Sequence, residues 1–543
     1  MATSTNSPSS PCNELGPTAG RSRNGCWTCR EKKVKCDERR PKCIRCLRLG
    51  RHCDYVPRPR KPYVRGAPRR RCSQTDKQPL DRHAQQPLQL GESDSPQPRP
   101  SPASAASTAP AESAPLLSPA DRDAIYYFRT AVSQSVDTKD VEFSVPAIIA
   151  ALAETEPMVL HMVCALGHHE RCTQQPTDDA TAAAVEHYST VMLLIAQALQ
   201  DPPRSDWPHL DSTLVTLWLM IVYEQRYGDG LGLGLRAHLR GAALVLQHRL
   251  GSLRHLLEHD VADPDALWPI SPLAGRMIVW IAFLDASAES NQLGGDFNRV
   301  LGAAMTGLAE NEILSRLRGY TAIQRYATSL HRVTWGARYP QQQLLEDLES
   351  REVLALYGEC GQMRHVLAQL AETPADPLPV ARALHDISQR YGHLLAAARF
   401  LELGGAGDHR QFVRNMRFVV PFYHAAVLWY FRITAPTTPF RHSEKQQHAL
   451  DEILALAYQA YRDEGEPAMA RIAWPLFMTA IETDDLAHQD WVCLRFANLC
   501  GRGENYRRAE KALQFVLAKQ RQSGGRVDVA GNFQSGALER FLI

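Results

Sequence analysis

Apolar residues recur every three to four positions over most of this chain, from about residue 116 to residue 522. That spacing places them on one face of an α-helix, whereas strand residues alternate with a period of two. Ser118 followed by Pro119 predicts a helix start, because serine caps helices and proline suits their first turn. We find no repeat of the length that indicates a solenoid. The pattern predicts a large all-α domain over residues 116–522.

Further segments of this domain show the helical period and end in typical stop signals. Glycine is enriched immediately after helices, so Gly228 and Gly251 are predicted stops. The predicted helices cover residues 211–227, 235–250, 384–398 and 506–516.

The segments around this domain lack apolar periodicity. Residues 1–20 contain too few apolar residues to offset the entropy of ordering, which predicts a disordered N-terminus. Residues 57–115 are first basic and then rich in Pro, Ser and Ala. Alternate prolines exclude a helix there, which predicts a disordered, extended linker. The linker shows no heptads, so a coiled-coil dimer is not supported. Residues 523–543 are short and mixed in composition and are set apart as a C-terminal tail.

Charge is distributed very unevenly along the chain. The formal net charge is +2, yet residues 21–72 contain 19 Lys and Arg against 4 Asp and Glu, a net charge of +15. A basic head on an acidic body is expected of a protein whose head contacts a polyanion. The chain shows neither an apolar run of membrane-spanning length nor a signal peptide at its start, so we expect a soluble intracellular protein without a membrane partner.

The basic head contains a doubled cysteine pattern, C-x2-C-x6-C, a six-residue spacer, and the same pattern again. Tetrahedral zinc takes four thiolates, so six sulfurs serve two ions only if two sulfurs are shared. Two zinc ions and six thiolates carry a net charge of about −2, which the neighbouring Arg and Lys residues offset. The six cysteines are Cys26, Cys29, Cys36, Cys43, Cys46 and Cys53.

Other uses of these cysteines fit less well. Three disulfides would require an oxidising compartment, which the missing signal peptide disfavours. RING and LIM sites need eight ligands including a histidine at a ligand spacing, and His52 is directly adjacent to Cys53. We therefore favour two zinc ions.

The cysteine segment resembles the fungal six-cysteine binuclear zinc cluster family of transcription factors. The match includes, besides the cysteines, Arg30, Lys32, Lys33, Lys35, Asp37 and Pro41. The resemblance implies a DNA-binding module over residues 21–56 with two Zn²⁺ ions, in which Cys26 and Cys43 bridge. It also implies a nuclear protein that regulates RNA polymerase II transcription, with duplex DNA and the transcription machinery as partners.

The helical region is similar to the fungal-specific transcription factor domain that commonly follows such clusters. The similarity lies in residues 123–128, 238–242 and 474–477. It implies a regulatory domain. Because the linker offers no coiled coil, the protein would bind DNA as a monomer or pair through this domain.

Candidate DNA contacts follow the second cysteine. A short helix beginning after Cys29 is expected to expose lysines, which donate to guanine O6 and N7 in the major groove. The resemblance implies that Lys32 and Lys33 read a CGG-like triplet. Predicted phosphate contacts or charge neutralisers are Arg30, Lys35, Arg39, Arg40, Lys42 and Arg45. Each of these side chains could instead be solvated surface.

Cys164, His168 and Cys172 recur every four residues and share one helix face. Such a face can hold a metal, but it is more typical of a buried helix in which cysteine acts as a small apolar residue.

We found no catalytic motif, and a zinc ion in a complete thiolate shell has no open position for substrate. The sequence therefore predicts a transcription regulator and not an enzyme. The alternative is a zinc-cluster scaffold that recruits other regulators without reading bases.

Overall fold

The computed structural model describes residues 26–32, 34, 36–39, 42–49, 51–54, 117–132, 139–174, 178–200, 207–258, 269–373, 375–403, 410–435 and 442–543. These residues belong to two compact units, a small cysteine module and a large helical unit. All regular elements in the described ranges are helical, and none of those residues lies in a strand. The predicted fold class is confirmed. The predicted N-terminal segment 1–20 and the linker 57–115 lie outside the described residues.

The cysteine module contains two one-turn helices, α1 (Trp27–Glu31) and α2 (Ile44–Arg48). Five of its cysteines are buried and form its core, with Val34 and Cys53 packed against them. A core made of thiols is too small to fold by apolar burial alone, so a module of this kind depends on metal.

The first half of the helical unit packs around one hydrophobic core, in which Leu214, Trp218 and Ile278 are buried. Its helices are α3 (Pro119–Tyr127), α4 (Val145–Leu152), α5 (Pro157–Gln174), α6 (Asp178–Gln200), α7 (Trp207–Tyr227), α8 (Leu233–Gln247), α9 (Leu250–Glu258), α10 (Pro272–Glu289), α11 (Asp296–Met305) and α12 (Glu312–Ala327). A π-helical turn (Phe128–Val132) and a 3₁₀ turn (Val141–Phe143) join α3 to α4.

The second half packs around a second core, in which Leu356, Val420 and Leu476 are buried. Helix α13 (Leu330–Trp335) still belongs to the first half, because Leu330 and Trp335 pack in the first core. The helices of the second half are α14 (Gln341–Glu349), α15 (Arg351–Glu372), α16 (Leu378–Arg390), α17 (Gly392–Ala397), α18 (Arg410–Thr434), α19 (Glu444–Glu464), α20 (Glu466–Arg471), α21 (Ala473–Glu482), α22 (Leu486–Leu499), α23 (Glu504–Ser523) and α24 (Val529–Gln534). Helices α10 and α15 pack against each other and connect the two halves.

The predicted helix start at Ser118 and Pro119 is confirmed. The Ser118 hydroxyl accepts a hydrogen bond from the Asp121 N–H at 3.1 Å, and the Asp121 carboxylate accepts one from the Ser118 N–H at 2.9 Å. This reciprocal pair is a capping box, and Pro119 occupies the first helical turn.

Two predicted helix ends are wrong. Gly251 does not stop a helix: α8 ends at Gln247, and Gly251 lies inside α9, where the buried side chains of Leu253 and Leu256 hold the turn against the core. The predicted helix over residues 384–398 is interrupted at Tyr391, whose hydroxyl donates to the buried Glu359 carboxylate at 2.8 Å. Tertiary contacts override local propensity at both places. The predicted stop at Gly228 is confirmed, although α7 begins one turn earlier than predicted.

The C-terminal residues 523–543, predicted as a separate tail, are part of the helical unit. Phe533 and Phe541 are buried in the second core, and Leu542 is buried in the first. The Asn505 side-chain carbonyl accepts a hydrogen bond from the Leu542 N–H at 2.7 Å. Burial of these apolar side chains keeps the segment in place, which a composition argument could not show.

By length and composition, residues 179–199 of α6 form one helix that could cross a membrane. A single helix of this kind is a weak indication, because helices of soluble domains pass the same test. Here α6 packs along α5, and its His187 side chain is hydrogen-bonded to Asp121 of α3.

Candidate metal centre and nucleic-acid interface

The two halves of the cysteine module repeat one local geometry. In the first, the Cys26 sulfur accepts a hydrogen bond from the Cys29 N–H at 3.4 Å; in the second, the Cys43 sulfur accepts one from the Cys46 N–H at 3.3 Å. Each sulfur thus satisfies a backbone donor in the first turn of its helix, as a capping side chain does. Helix α1 therefore begins at Trp27, before Cys29 and not after it as predicted.

A second pair of hydrogen bonds closes each half. The Cys26 N–H donates to the Cys36 sulfur at 3.4 Å, and the Cys43 N–H donates to the Cys53 sulfur at 3.2 Å. The two halves that repeat one cysteine spacing in the sequence thus also repeat one pattern of N–H···S hydrogen bonds. These four N–H groups donate to sulfur. They lower the electrostatic free-energy cost of holding several negatively charged thiolates close together.

The separations between sulfurs fit tetrahedral zinc. Zinc–sulfur bonds of about 2.3 Å at tetrahedral angles place neighbouring sulfurs roughly 3.8 Å apart. The Cys26 sulfur lies 3.6 Å from that of Cys46, 3.7 Å from that of Cys43 and 3.9 Å from that of Cys36. The Cys29 sulfur lies 3.8 Å from that of Cys43. The residues present therefore fit zinc without rearrangement of the chain.

Cys26 and Cys43, the predicted bridging pair, lie in contact within the sulfur cluster. Cys26 contacts sulfurs from both halves, and Cys43 contacts the sulfurs of Cys26 and Cys29 while donating its N–H to Cys53. The sulfurs of Cys29 and Cys46 also have neighbours in both halves, so the bridging role of Cys26 and Cys43 stays a prediction. One short pair, Cys29 and Cys46 at 3.9 Å, also permits a single-ion set of Cys26, Cys29, Cys43 and Cys46.

Burial affects how these thiols bind metal. It raises the pKa of the Cys26, Cys29 and Cys46 thiols, to about 12 for Cys46. Metal therefore has to displace protons, so zinc binding releases protons and weakens as the pH falls.

Contacts outside the cluster tie the module together. The Trp27 N–H donates to the Asp54 carbonyl at 2.7 Å, and the Thr28 hydroxyl donates to the His52 carbonyl at 2.6 Å. The Asp37 carboxylate accepts from the Ile44 N–H at 3.1 and 3.2 Å, which fixes the start of α2. Sequence reasoning missed the roles of Trp27 and Thr28, because no spacing rule marks a contact to a backbone carbonyl.

The described basic side chains of the module are exposed to solvent. They are those of Lys32, Arg39, Lys42, Arg45, Arg48 and Arg51. Lys32 directly follows α1, and its N–H donates to the Thr28 carbonyl at 3.3 Å. The backbone of Arg30 lies in α1, whereas Lys33, Lys35, Arg40 and the Arg30 side chain lie outside the described structure.

The second cysteine–histidine pattern does not form a ligand set. Cys164 is fully buried, as expected of a small apolar residue, and the Cys172 sulfur lies 3.2 Å from the Thr181 hydroxyl. His168 faces Asp121 instead, at 2.9 Å.

The helical unit also contains a cavity of about 300 Å³. Trp429, Trp474 and Phe477 line it together with Glu289 and the buried Arg364. The Arg364 guanidinium lies 4.3 Å from the centre of the Trp474 ring, and burial lowers its pKa to about 9. Aromatic walls with a few charged groups are typical of small-molecule pockets.

The site and fold together define a class of protein: a thiolate-bridged metal module followed by a large helical domain. Residues 24–62 match the family model described as the fungal Zn(2)-Cys(6) binuclear cluster domain. Residues 126–528, most of the chain, match the fungal specific transcription factor domain. The chain therefore belongs to the fungal zinc-cluster transcription factor family, as its sequence predicted, and its cluster cofactor is two zinc ions.

Individual relatives are similar to this chain over short stretches. The aspercryptin biosynthesis cluster-specific transcription regulator of Emericella nidulans is 67% identical over 39 residues, covering 7% of this chain and 6% of its own. The thiamine biosynthesis regulatory protein of Saccharomyces cerevisiae is 50% identical over 42 residues, 8% and 9% of the two chains. Transcription factor lfc1 of Flammulina velutipes is 47% identical over 55 residues, 9% and 20%. These matches span far less than two thirds of the relatives' lengths. No solved structure matches this chain significantly.

Proposed function

We propose that this protein is a sequence-specific DNA-binding regulator of RNA polymerase II transcription that acts in the nucleus. The observation that carries the proposal is the sulfur cluster, whose separations of 3.6 to 3.9 Å suit zinc shared between two tetrahedra. The cluster belongs to a head of net charge +15, which suits a polyanionic partner.

The family resemblance implies the ligand sets, and the doubled geometry supports them. Cys26 and Cys43 serve both ions; Cys29 and Cys36 complete the first shell, and Cys46 and Cys53 complete the second. The zinc ions supply a rigid crosslink that apolar burial cannot supply in so small a module. The chain contributes the N–H donors, the Asp37 cap on α2 and the backbone contacts of Trp27 and Thr28.

Base reading is assigned to the chain just after α1. Lys32 and Lys33 would donate to guanine O6 and N7 of a CGG-like element, since lysine makes this contact readily. The remaining basic residues would neutralise phosphates and fix the register: Arg30, Lys35, Arg39, Arg40, Lys42 and Arg45. The exposure of Lys32, Arg39, Lys42 and Arg45 supports this assignment.

The helical domain is proposed to regulate the DNA-binding head. Its aromatic cavity around Trp474 suits a small-molecule effector, and the transcription machinery is its expected partner. We assign residues 21–56 to DNA binding, 57–115 to the linker and 116–543 to regulation.

A second copy of the chain is the proposed occupant of an exposed face on α6. The α6 apolar face consists of Val185, Met192, Leu193 and Leu199, which are 44 to 68% exposed and lie on one side of the helix. The linker contains no heptads, so pairing on DNA would have to use the helical domain. An exposed apolar stripe on a long helix suits that contact.

The experiment is a binding-site selection with the full-length protein and its Lys33→Ala variant. Loss of one base contact should weaken binding by about 1–3 kcal/mol and relax preference at the guanines. Lys511→Ala, an exposed lysine of α23, is the matched control and should leave the selected sequence unchanged.

The salt dependence of DNA binding reports the phosphate contacts of the basic head. The logarithm of the binding constant should fall with the logarithm of the salt concentration, with a slope of about −0.9 per phosphate neutralised.

An unchanged selection with Lys33→Ala would overturn the role of that lysine. If the zinc-loaded protein ignores duplex DNA but captures a regulatory partner, the scaffold alternative is correct.

A further inference from the structure

Three metal-ligating side chains from three different helices converge in the helical unit. They are Asp121 of α3, His168 of α5 and His187 of α6. The His168 and His187 Nε2 atoms lie 2.9 and 3.1 Å from the same oxygen, Asp121 Oδ1. All three ligand atoms lie within 4.8 Å of one another. Two imidazoles facing one carboxylate oxygen form the donor set of a metal site.

The Asp121 carboxylate is held in one orientation by the start of α3. Its Oδ2 accepts the Ser118 N–H of the capping box at 2.9 Å, which directs Oδ1 towards the histidines. The two carboxylate oxygens of Asp121 therefore have different partners: Oδ2 caps the helix, and Oδ1 faces the histidines. Helix capping alone requires only Oδ2.

His187 is oriented from behind by another histidine. Its Nδ1 lies 2.8 Å from the Nδ1 of His161, so one of these nitrogens donates to the other. With Nε2 of His187 bound to a metal, its Nδ1–H would donate to His161. Metal-binding histidines are commonly fixed in this way by a partner on the second nitrogen.

The site is protected from solvent without being sealed. The side chain of His168 is 2% exposed, that of Asp121 15% and that of His187 17%. One carboxylate with two neutral imidazoles leaves a net charge of −1 facing any bound ion. The site would therefore neutralise half the charge of a bound dication, in surroundings that are partly shielded from water.

The two distances from the histidines to Asp121 require only a small adjustment to hold an ion. Bonds of about 2.0–2.1 Å at tetrahedral angles separate ligand atoms by roughly 3.3–3.4 Å, a few tenths of an ångström more than observed here. Imidazole nitrogen with a carboxylate oxygen favours zinc-like transition metals over magnesium or calcium.

We propose that Asp121, His168 and His187 form a third, mononuclear zinc site, with a fourth position for water. The ion ties α3, the first described helix after the linker, to α5 and α6. Metal occupancy would then govern how firmly the start of the helical unit is anchored.

The test counts metal ions in the intact protein. Full-length protein is equilibrated with zinc, passed through a desalting column and analysed for zinc per chain by plasma mass spectrometry. Wild type should hold three ions. Asp121→Asn and His187→Gln should hold two, since each keeps a hydrogen-bonding side chain of similar size while losing a good ligand. His248→Gln, an exposed histidine after α8, should hold three.

A cluster variant separates this site from the zinc cluster. Cys43→Ser should lose cluster zinc and keep the third ion, whereas Asp121→Asn should keep both cluster ions. Two ions in the wild-type protein would overturn the proposal whatever the variants do. Three ions in wild type and in both Asp121→Asn and His187→Gln would overturn it too, because the extra ion would be elsewhere.

A spectroscopic measurement identifies the ligands. After cobalt substitution, the wild-type minus Asp121→Asn difference spectrum should show visible d–d bands without the intense thiolate charge-transfer band. A difference spectrum with thiolate character, or none at all, would contradict a nitrogen and oxygen site. Circular dichroism of each variant confirms that it is folded.

Discussion

Removing a shared thiolate should damage the zinc cluster about twice as much as removing an unshared one. Structural zinc sites contribute roughly 10–16 kcal/mol each, so one thiolate of four accounts for roughly 2.5–4 kcal/mol. Cys53 completes one shell, and its replacement by serine should weaken a single ion by about 10²–10³-fold. Cys26 lies within 3.9 Å of three other sulfurs, and in the proposed ligand sets it completes both shells. Cys26→Ser should therefore weaken both ions, by roughly 5–8 kcal/mol in total.

The assay is chelator competition followed by native mass spectrometry of the full-length variants. At a chelator concentration that leaves wild type loaded, Cys53→Ser should retain one cluster ion and Cys26→Ser none. Cys493→Ser removes a half-buried thiol of α22 and should retain both.

The opposite order would refute the shared-sulfur assignment. If Cys53→Ser lost both ions, or Cys26→Ser lost only one, Cys26 could not be a bridge. Equal losses in Cys29→Ser and Cys46→Ser, with no effect of Cys53→Ser, would instead favour the single-ion set that the 3.9 Å contact between Cys29 and Cys46 allows.

Two further predictions concern the helical unit. Leu193→Glu on the α6 apolar face should convert a dimer to a monomer in sedimentation velocity, whereas Leu486→Glu, 61% exposed on α22, should not; a dimer that survives Leu193→Glu uses another surface. Burial raises the pKa of Asp211 to about 6. Between about pH 4 and 6 the folded state therefore keeps a proton on Asp211 that the unfolded state has lost, and the free energy of unfolding falls as the pH rises through this range. Asp211→Asn should remove that decline, worth roughly 3 kcal/mol, in urea unfolding measured across this range; parallel curves for the two proteins would contradict the shift.

The metal-binding head illustrates what spacing rules can and cannot predict. The six ligands follow from the sequence, because the two halves repeat one spacing and zinc fixes the number of sulfurs per ion. The hydrogen bonds from backbone N–H groups to sulfur do not follow, although they set the start of α1 at Trp27. Nor does the bond from Thr28 to the His52 carbonyl, which joins residues that no local pattern relates.

The helical unit shows the same division. A period of 3.6 residues predicts helices, and Ser118 followed by Pro119 predicts where the first one begins, as the structure confirms. Gly251 remained helical because Leu253 and Leu256 are buried beneath its turn, and burial depends on residues far away in the sequence. Helix ends therefore depend on packing more than on the residue at the stop.

The sequence by itself determined the zinc chemistry, the helical class and the family, because ligand spacing and helical periodicity are properties of neighbouring residues. Only the tertiary structure placed residues 523–543 in the cores and brought Asp121, His168 and His187 together. Those histidines lie on two helices and the aspartate on a third, so their meeting depends on how the helices pack. Packing is decided by apolar burial summed over the whole unit, which no short segment encodes.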